Sequence, residues 1–276
     1  MEIKVLGRLN VTLYGTSVVP PDPESRRMLA LLALCADQVV PTCLIAQELW
    51  PYGAPSDSDA RLRAYAATIR RLLAGALEAE GERAGITEWD LMSSTPFSHR
   101  LSTCGGTLDA LQFERDAWAG YRAMVAGDLS RAAVRLRDAL ALWSGDALAG
   151  LEQAGPLRIQ TGRLQEARMA ALEQWAVVEL RLGRHREILP ELRRLTTRYP
   201  THQKLHRHYM NALLSSGRPA EALRVYERLS DDLRREGHRE PSPELHRLRR
   251  RILAGASEPV PRTFAELPAG SLVTAS

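Results

Sequence analysis

Leu182-Gly183-Arg184 and Ser216-Gly217-Arg218 stand 34 residues apart, and the residues that follow them repeat too: Glu187, Leu189 and Leu195 recur as Glu221, Leu223 and Leu229. That period is the length of a tetratricopeptide-type helix pair. Ala126-Gly127-Asp128, followed by Arg131-Ala132-Ala133-Val134, opens a helix in the same way off the period. A helix pair of this kind cannot bury its apolar face alone, so the pairs must stack on one another. From Leu108 to Leu253 the pattern is almost wholly helical, with breaks at Gly127-Asp128, Ser144-Gly145, Gly155-Pro156, Gly183-Arg184, Tyr199-Pro200 and Gly217-Arg218.

The first hundred residues have a different rhythm. Residues 3–14 alternate apolar and polar around a glycine, the pattern of a short antiparallel meander, and Ser17-Val18-Val19 reads as a third small strand. Pro23-Glu24-Ser25 opens a Leu/Ala-rich helix running to Ala36. Val39-Val40-Pro41 is an extended link, and Thr42 reads as the N-cap of a second helix from Cys43 to Trp50, stopped by Pro51. A third helix runs from Ser58 to Leu77. Ile86–Met92 and Ser98–Thr103 read as a hairpin turning through Thr95-Pro96-Phe97. Strand signals stop at Cys104-Gly105-Gly106. The expected division is therefore 1–104, a helical 105–256, and a loose Pro/Ala/Gly/Ser-rich tail at 257–276.

Chemistry-bearing motifs are absent. The sequence holds no phosphate-binding glycine loop, nucleophile elbow, H-E-x-x-H or calcium loop, and the expectation is a protein that is not an enzyme and needs no cofactor. His202, His206 and His208 are the best metal candidates, but no Cys or evident carboxylate partner lies nearby, and solvated surface histidines are the preferred reading. Cys35, Cys43 and Cys104 are odd in number with no C-x-x-C spacing, which fits free buried thiols in a reducing cytoplasm. No long apolar run suggests a membrane span, and the opening Met1-Glu2-Ile3-Lys4-Val5 does not read as a secretory signal.

The net charge is +4, and of 37 basic residues only Lys4 and Lys204 are lysine. Residues 1–105 carry 10 basic and 12 acidic residues, a net of −2, so a nucleic-acid contact there must come from a local stripe. The third helix supplies one. Leu62, Ala66, Ile69 and Leu73 fall on one face at helical spacing. Arg61, Ala64, Thr68 and Arg71 lie opposite, flanked by Arg63 and Tyr65. Small residues between arginines let a helix backbone approach a major-groove floor, and arginine grips phosphate or a guanine edge with two parallel hydrogen bonds. A solvated arginine face is the competing reading. The position of this helix, after a small sheet and before a hairpin, favours a winged helix-turn-helix.

Met1-Glu-Ile-Lys-Val-Leu-Gly-Arg-Leu-Asn-Val, Arg26 leading into a helix that ends Ala36-Asp37-Gln38-Val39-Val40, and Leu44-Ile45-Ala46-Gln47-Glu48-Leu49-Trp50 together resemble the Streptomyces antibiotic regulatory protein family of activators. Leu140-Ala-Leu-Trp-Ser-Gly145, Leu189-Pro-Glu-Leu192, Leu213 to Tyr226, and Glu240-Pro-Ser-Pro-Glu-Leu245 extend the resemblance across residues 2–254. The resemblance implies a mainly α fold with a small β part: an OmpR-type winged helix-turn-helix followed by an all-α tetratricopeptide-like bacterial transcriptional activation domain. It further implies a homodimer on double-stranded DNA, at tandem direct repeats upstream of secondary-metabolite biosynthetic genes, and recruitment of RNA polymerase through its sigma factor. By position, the resemblance implies that Arg61, Arg63, Tyr65, Thr68 and Arg71 face DNA, that Arg26 sits by the backbone at the start of the first helix, and that His99 and Arg100 lie in the wing and reach a neighbouring groove. The alternative is a helical-repeat protein–protein adaptor, supported by the net negative charge of the N-terminal part.

Overall fold

The computed structural model describes residues 1–80, 85–237 and 240–255. The tail expected at 257–276 lies outside the described residues, as do residues 81–84 of the acidic connection Glu78–Glu88 that follows the third helix in the sequence. The chain divides into two compact units, Met1–Trp175 and Ala176–Ser276. The boundary expected after residue 104 falls inside the first of them.

In the first unit, β1 (Glu2–Lys4), β2 (Asn10–Leu13) and β3 (Thr16–Ser17) form the expected meander. A fourth strand, β7 (Thr107–Leu108), joins it parallel to β1 and gives the order β3-β2-β1-β7. The sequence reading missed this strand because two residues carry no periodicity. The chain returns through a left-handed pair, Cys104 at φ 49° and Gly105 at φ 79°. Gly106 then passes so close to Met1 that a Cβ would stand 1.8 Å from the Met1 carbonyl oxygen.

Three helices follow the meander: α1 (Pro23–Leu34), α2 (Thr42–Leu49) and α3 (Ser58–Glu80). Asp22 caps α1 by accepting a hydrogen bond from the Ser25 N–H at 2.8 Å. Thr42, expected as the cap of α2, is instead its first residue. Its N–H donates to the Phe97 carbonyl at 2.8 Å, so the hairpin turn satisfies an orphan amide that a side chain would otherwise cap.

β4 (Val40–Pro41), β5 (Met92–Ser94) and β6 (Ser98–Leu101) make a second antiparallel sheet in the order β4-β6-β5. The hairpin is shorter than the sequence suggests. Thr87 and Asp90 form a reciprocal capping box that winds Glu88–Leu91 into a helical turn, α4, where an incoming strand was expected. Leu29, Leu32, Ile45, Ile69, Leu73, Leu91 and Leu101 fill the space between helices and sheets. Three helices, the third backed by a short hairpin, make a winged helix-turn-helix.

The same unit continues into α5 (Asp109–Val125), α6 (Leu129–Ala141) and α7 (Gly155–Arg181), which runs on into the second unit. Residues 5–7, leaving β1, are met by two partners. The Asp109 carboxylate accepts the N–H groups of Val5 and Leu6 at 2.9–3.0 Å. On the other edge, the amides of Ser144, Leu148 and Ala149 donate to the carbonyls of Leu6, Val5 and Gly7, each at 2.9 Å. A Cβ on Gly7 would lie 1.9 Å from the Ser144 hydroxyl oxygen, so any side chain there would force that hydroxyl to turn away. Trp143, just before this loop, stacks edge-on against Phe113 and lies under the Arg168 guanidinium.

The deepest polar contact is Glu48 of α2, which is fully buried. Its carboxylate accepts the Ala154 N–H at 2.7 Å and the Leu157 N–H at 2.9 Å, at the start of α7. Arg27 of α1 donates to the Glu48 carboxylate at 3.3 Å and also to the Glu48 carbonyl.

In the second unit, α8 (Leu189–Arg198), α9 (Gln203–Ser215), α10 (Pro219–Arg235) and α11 (Pro243–Leu253) pack in succession, each on the next. Gly183 and Gly217 both sit at φ 77°, so the repeated glycines are helix-ending left-handed turns. The period is not strict: α8 begins six residues after its glycine and α10 only two. Pro190 stands where the second copy has Arg224, and a proline is tolerated only in the first turn of a helix. His206 and His208 are buried on α9, correcting the solvated reading, and His202 caps that helix. The cysteines are free but not buried: Cys43 and Cys104 are exposed and Cys35 is half-buried.

Two outcomes follow from this packing. Glu48→Ala removes the carboxylate that faces Arg27 in the core and leaves the amides of Ala154 and Leu157, at the start of α7, unpaired, and should cost about 3–5 kcal/mol, read by urea denaturation. Burial holds the His208 imidazole neutral, pushing it from its ordinary 6.5 down to about 3, and lowers His206 as well. The unfolded chain therefore binds these protons first as pH falls, so the stability is complete above 6.5 and drains away below it. At pH 5 the loss from His208 should be roughly 2 kcal/mol, and His208→Gln should flatten the decline.

Candidate nucleic-acid interface

α3 is 23 residues long, roughly 34 Å at 1.5 Å per residue. Leu62, Ala66, Ile69 and Leu73 are at most 3% exposed, so one stripe is wholly consumed by the core. The other side follows by geometry: Arg61, Arg63, Ala64, Ala67 and Arg71 are exposed, with Tyr65 and Thr68 half-buried between them.

These side chains are held to different degrees. The Arg61 guanidinium donates to both Asp57 carboxylate oxygens, at 3.0 and 2.9 Å, one turn earlier on the approach to α3. The hydrogen bond and charge of Asp57 raise Arg61 above its ordinary range, so it is a full cation at any working pH. Thr68 donates its hydroxyl to the Ala64 carbonyl at 3.1 Å, so that donor is already used within the helix. Burial, with the charge of Glu24, raises the Tyr65 phenol, which stays neutral. Arg70 leaves this surface: its guanidinium lies 4.2 Å from the ring of Trp89 in α4, a cation–π contact.

The remaining candidates sit elsewhere. Arg26 is turned onto its own chain, donating from Nε to the Pro20 carbonyl at 3.0 Å and from Nη2 to the Pro21 carbonyl at 2.7 Å. It fixes the entry to α1. On the hairpin, Arg100 is exposed but His99 is not. The His99 ring is 4% exposed, its Nδ1 lies 2.9 Å from the Ser94 hydroxyl, and burial lowers its pKa. His99 thus occupies the wing and braces it from inside, correcting the expectation that its ring reaches out. The alternation of β6 accounts for this: Arg100 points out, so its neighbour points in.

Two exposed aromatics were not singled out from sequence. Phe97 is 83% exposed on a turn that Thr95 holds shut, its hydroxyl accepting the N–H groups of Phe97 and Ser98. Tyr52 is fully exposed in the loop joining α2 and α3. Proline beside each, Pro96 and Pro51, is the signal that could have marked them as held outward. Among the described residues, no group of His, Cys, Asp and Glu could hold a metal ion, and no helix is long and apolar enough to cross a membrane.

Known proteins share this architecture. The family described as bacterial transcriptional activator domain matches residues 108–253, just over half of the chain. Regulatory protein DnrI of Streptomyces peucetius is 37% identical over 99% of both chains. Regulatory protein AfsR of Streptomyces coelicolor is 34% identical over all of this chain, which spans 26% of that longer protein. The solved structure of Mycobacterium tuberculosis EmbR, in complex with a low-affinity phosphopeptide, superposes with a TM-score of 0.78 at 29% identity, over 92% of this chain and 65% of EmbR. On the match over residues 108–253 and the near full-length likeness to DnrI, the chain belongs to the Streptomyces antibiotic regulatory protein family of transcriptional activators.

Proposed function

We propose that this protein binds DNA in a sequence-specific manner and activates transcription of secondary-metabolite biosynthetic genes. Residues 1–104 read tandem direct repeats in the promoter, as two protomers side by side, and residues 105–256 help recruit RNA polymerase through its sigma factor. No enzymatic step is involved. The observation that carries the reading is the outer face of α3: Arg61, Arg63 and Arg71 separated by the small residues Ala64 and Ala67, on a helix whose other face is locked into the core. Such a helix can lie deep in a major groove, where its arginines reach phosphates and base edges. Tyr65 and Thr68 offer a phenol and a methyl to base edges at the same depth. Arg100 is the wing contact, while Arg26 and His99 act by shaping the backbone that carries the others.

A net charge of −2 over residues 1–105 is what favours the second reading, a helical-repeat adaptor that binds protein instead of DNA. Arginine variants separate the two. Arg61→Ala and Arg71→Ala should each leave the thermal melt unchanged while weakening operator binding, by about 1–3 kcal/mol for a lost base contact. Where the lost contact is to phosphate, the dependence of log K on log salt should flatten by about one unit. Unchanged affinity in both variants would remove α3 from the interface, and passage of the wild type through immobilised DNA at low salt would favour the adaptor.

A further inference from the structure

The basic charge of this protein is not where the DNA-reading helix is. Residues 1–175 hold 18 basic and 21 acidic side chains, a net of −3, while residues 176–276 hold 19 and 12, a net of +7. The densest part of that excess is α11, Pro243–Leu253, which has four arginines against one carboxylate, Glu244. Leu245, Leu248 and Ile252 are buried and fix which face is inward. Arg247 and Arg250 consequently stand on the outer side, with Arg249 at its edge beside α10, and all three are exposed.

This surface is organised. The Arg249 guanidinium lies 5.2 Å from the ring of Tyr226 on α10, and the Tyr226 hydroxyl is 2.8 Å from Nδ1 of His246. Arg247 is one turn from Arg250 and touches Glu244 at 3.3 Å, a contact between exposed side chains that water and salt readily replace. The large apolar side chain exposed on α11 is Leu253 at its end, and no exposed aromatic or second aliphatic side chain of this helix stands beside it. Protein partners are gripped chiefly through buried aromatic and aliphatic anchors, whereas a polyphosphate backbone is gripped by guanidinium groups alone.

We infer that the outer face of α11, through Arg247, Arg249 and Arg250, is a second DNA-binding surface, one that takes the phosphate backbone without regard to sequence. The inference builds on the DNA-binding reading of the protein, and gives the negatively charged first unit a source of long-range attraction that it lacks. Affinity and specificity are then divided: the helical unit supplies salt-dependent grip, and α3 supplies choice of site.

The test uses the full-length protein and a mixed-sequence DNA duplex, with fluorescence anisotropy over a series of salt concentrations. Arg247→Gln/Arg250→Gln should reduce affinity about tenfold at low salt and flatten the slope of log K against log salt by about two units, close to 0.9 for each phosphate released. Glu244→Gln should move affinity the other way. Circular dichroism on both variants, whose side chains are exposed, establishes that they are folded. An unchanged slope and affinity in the double variant would overturn the inference. So would a defect confined to an acidic protein partner with DNA binding intact, which would make α11 a protein-docking helix. If the wild type shows no preference for any sequence but its mixed-sequence binding still collapses in the double variant, the α11 surface stands and the site-specific reading fails.

Discussion

A single buried carboxylate holds the first unit together. Glu48 of α2 accepts two backbone amides at the start of α7 and is held by Arg27 of α1. A charge in an apolar interior is tolerable only when its hydrogen-bonding capacity is filled, and here an arginine and a helix N-terminus fill it from two directions. The arrangement makes the first two helices of the winged helix depend on a helix that begins more than a hundred residues later. Asp109, with residues 144–149, does the same for the strand leaving β1. The winged helix is therefore not a bead on a linker: its own backbone is completed by the helices that follow it.

That coupling determines what α3 can present. With Leu62, Ala66, Ile69 and Leu73 fixed in the core, the rotation of the helix about its axis is settled, and so is the row formed by Arg61, Ala64, Ala67 and Arg71. Pre-organisation of this kind lowers the entropy lost on binding. On the proposed function Asp57 adds a condition, since the Arg61 guanidinium would exchange this carboxylate for a phosphate or a base edge on DNA. The two acceptors are alike in charge and geometry, so the exchange is easy where the local potential is that of DNA.

Much of this was legible in the sequence where the signal is local. The apolar stripe of α3, the helix breaks at Gly183 and Gly217, and most of the order of elements each rest on a few neighbouring residues, and the structure has them as read. Readings failed where a distant partner decides. Glu48 looks like any surface glutamate until Ala154 and Leu157 are placed against it. Thr42 resembles an N-cap, but the Phe97 carbonyl had already taken that amide. His99 points outward when its role is carried over by position from the family, and the alternation of β6 turns it inward. The acidic connection hid a capping box at Thr87 and Asp90, which shortened the hairpin. His206 and His208 looked like surface histidines for want of any sequence signal that α9 is covered on both sides.

On the proposed function, each protomer reads DNA through one rigid helix face. The most direct measurement is an unbiased selection of bound fragments from a genomic library with purified protein at moderate salt, read by sequencing. The account predicts enrichment of paired direct repeats whose centres lie about one helical turn apart, ~10–11 bp, the spacing that places two head-to-tail copies on one face of the duplex. A folded sample that enriches no sequence at any salt would contradict it.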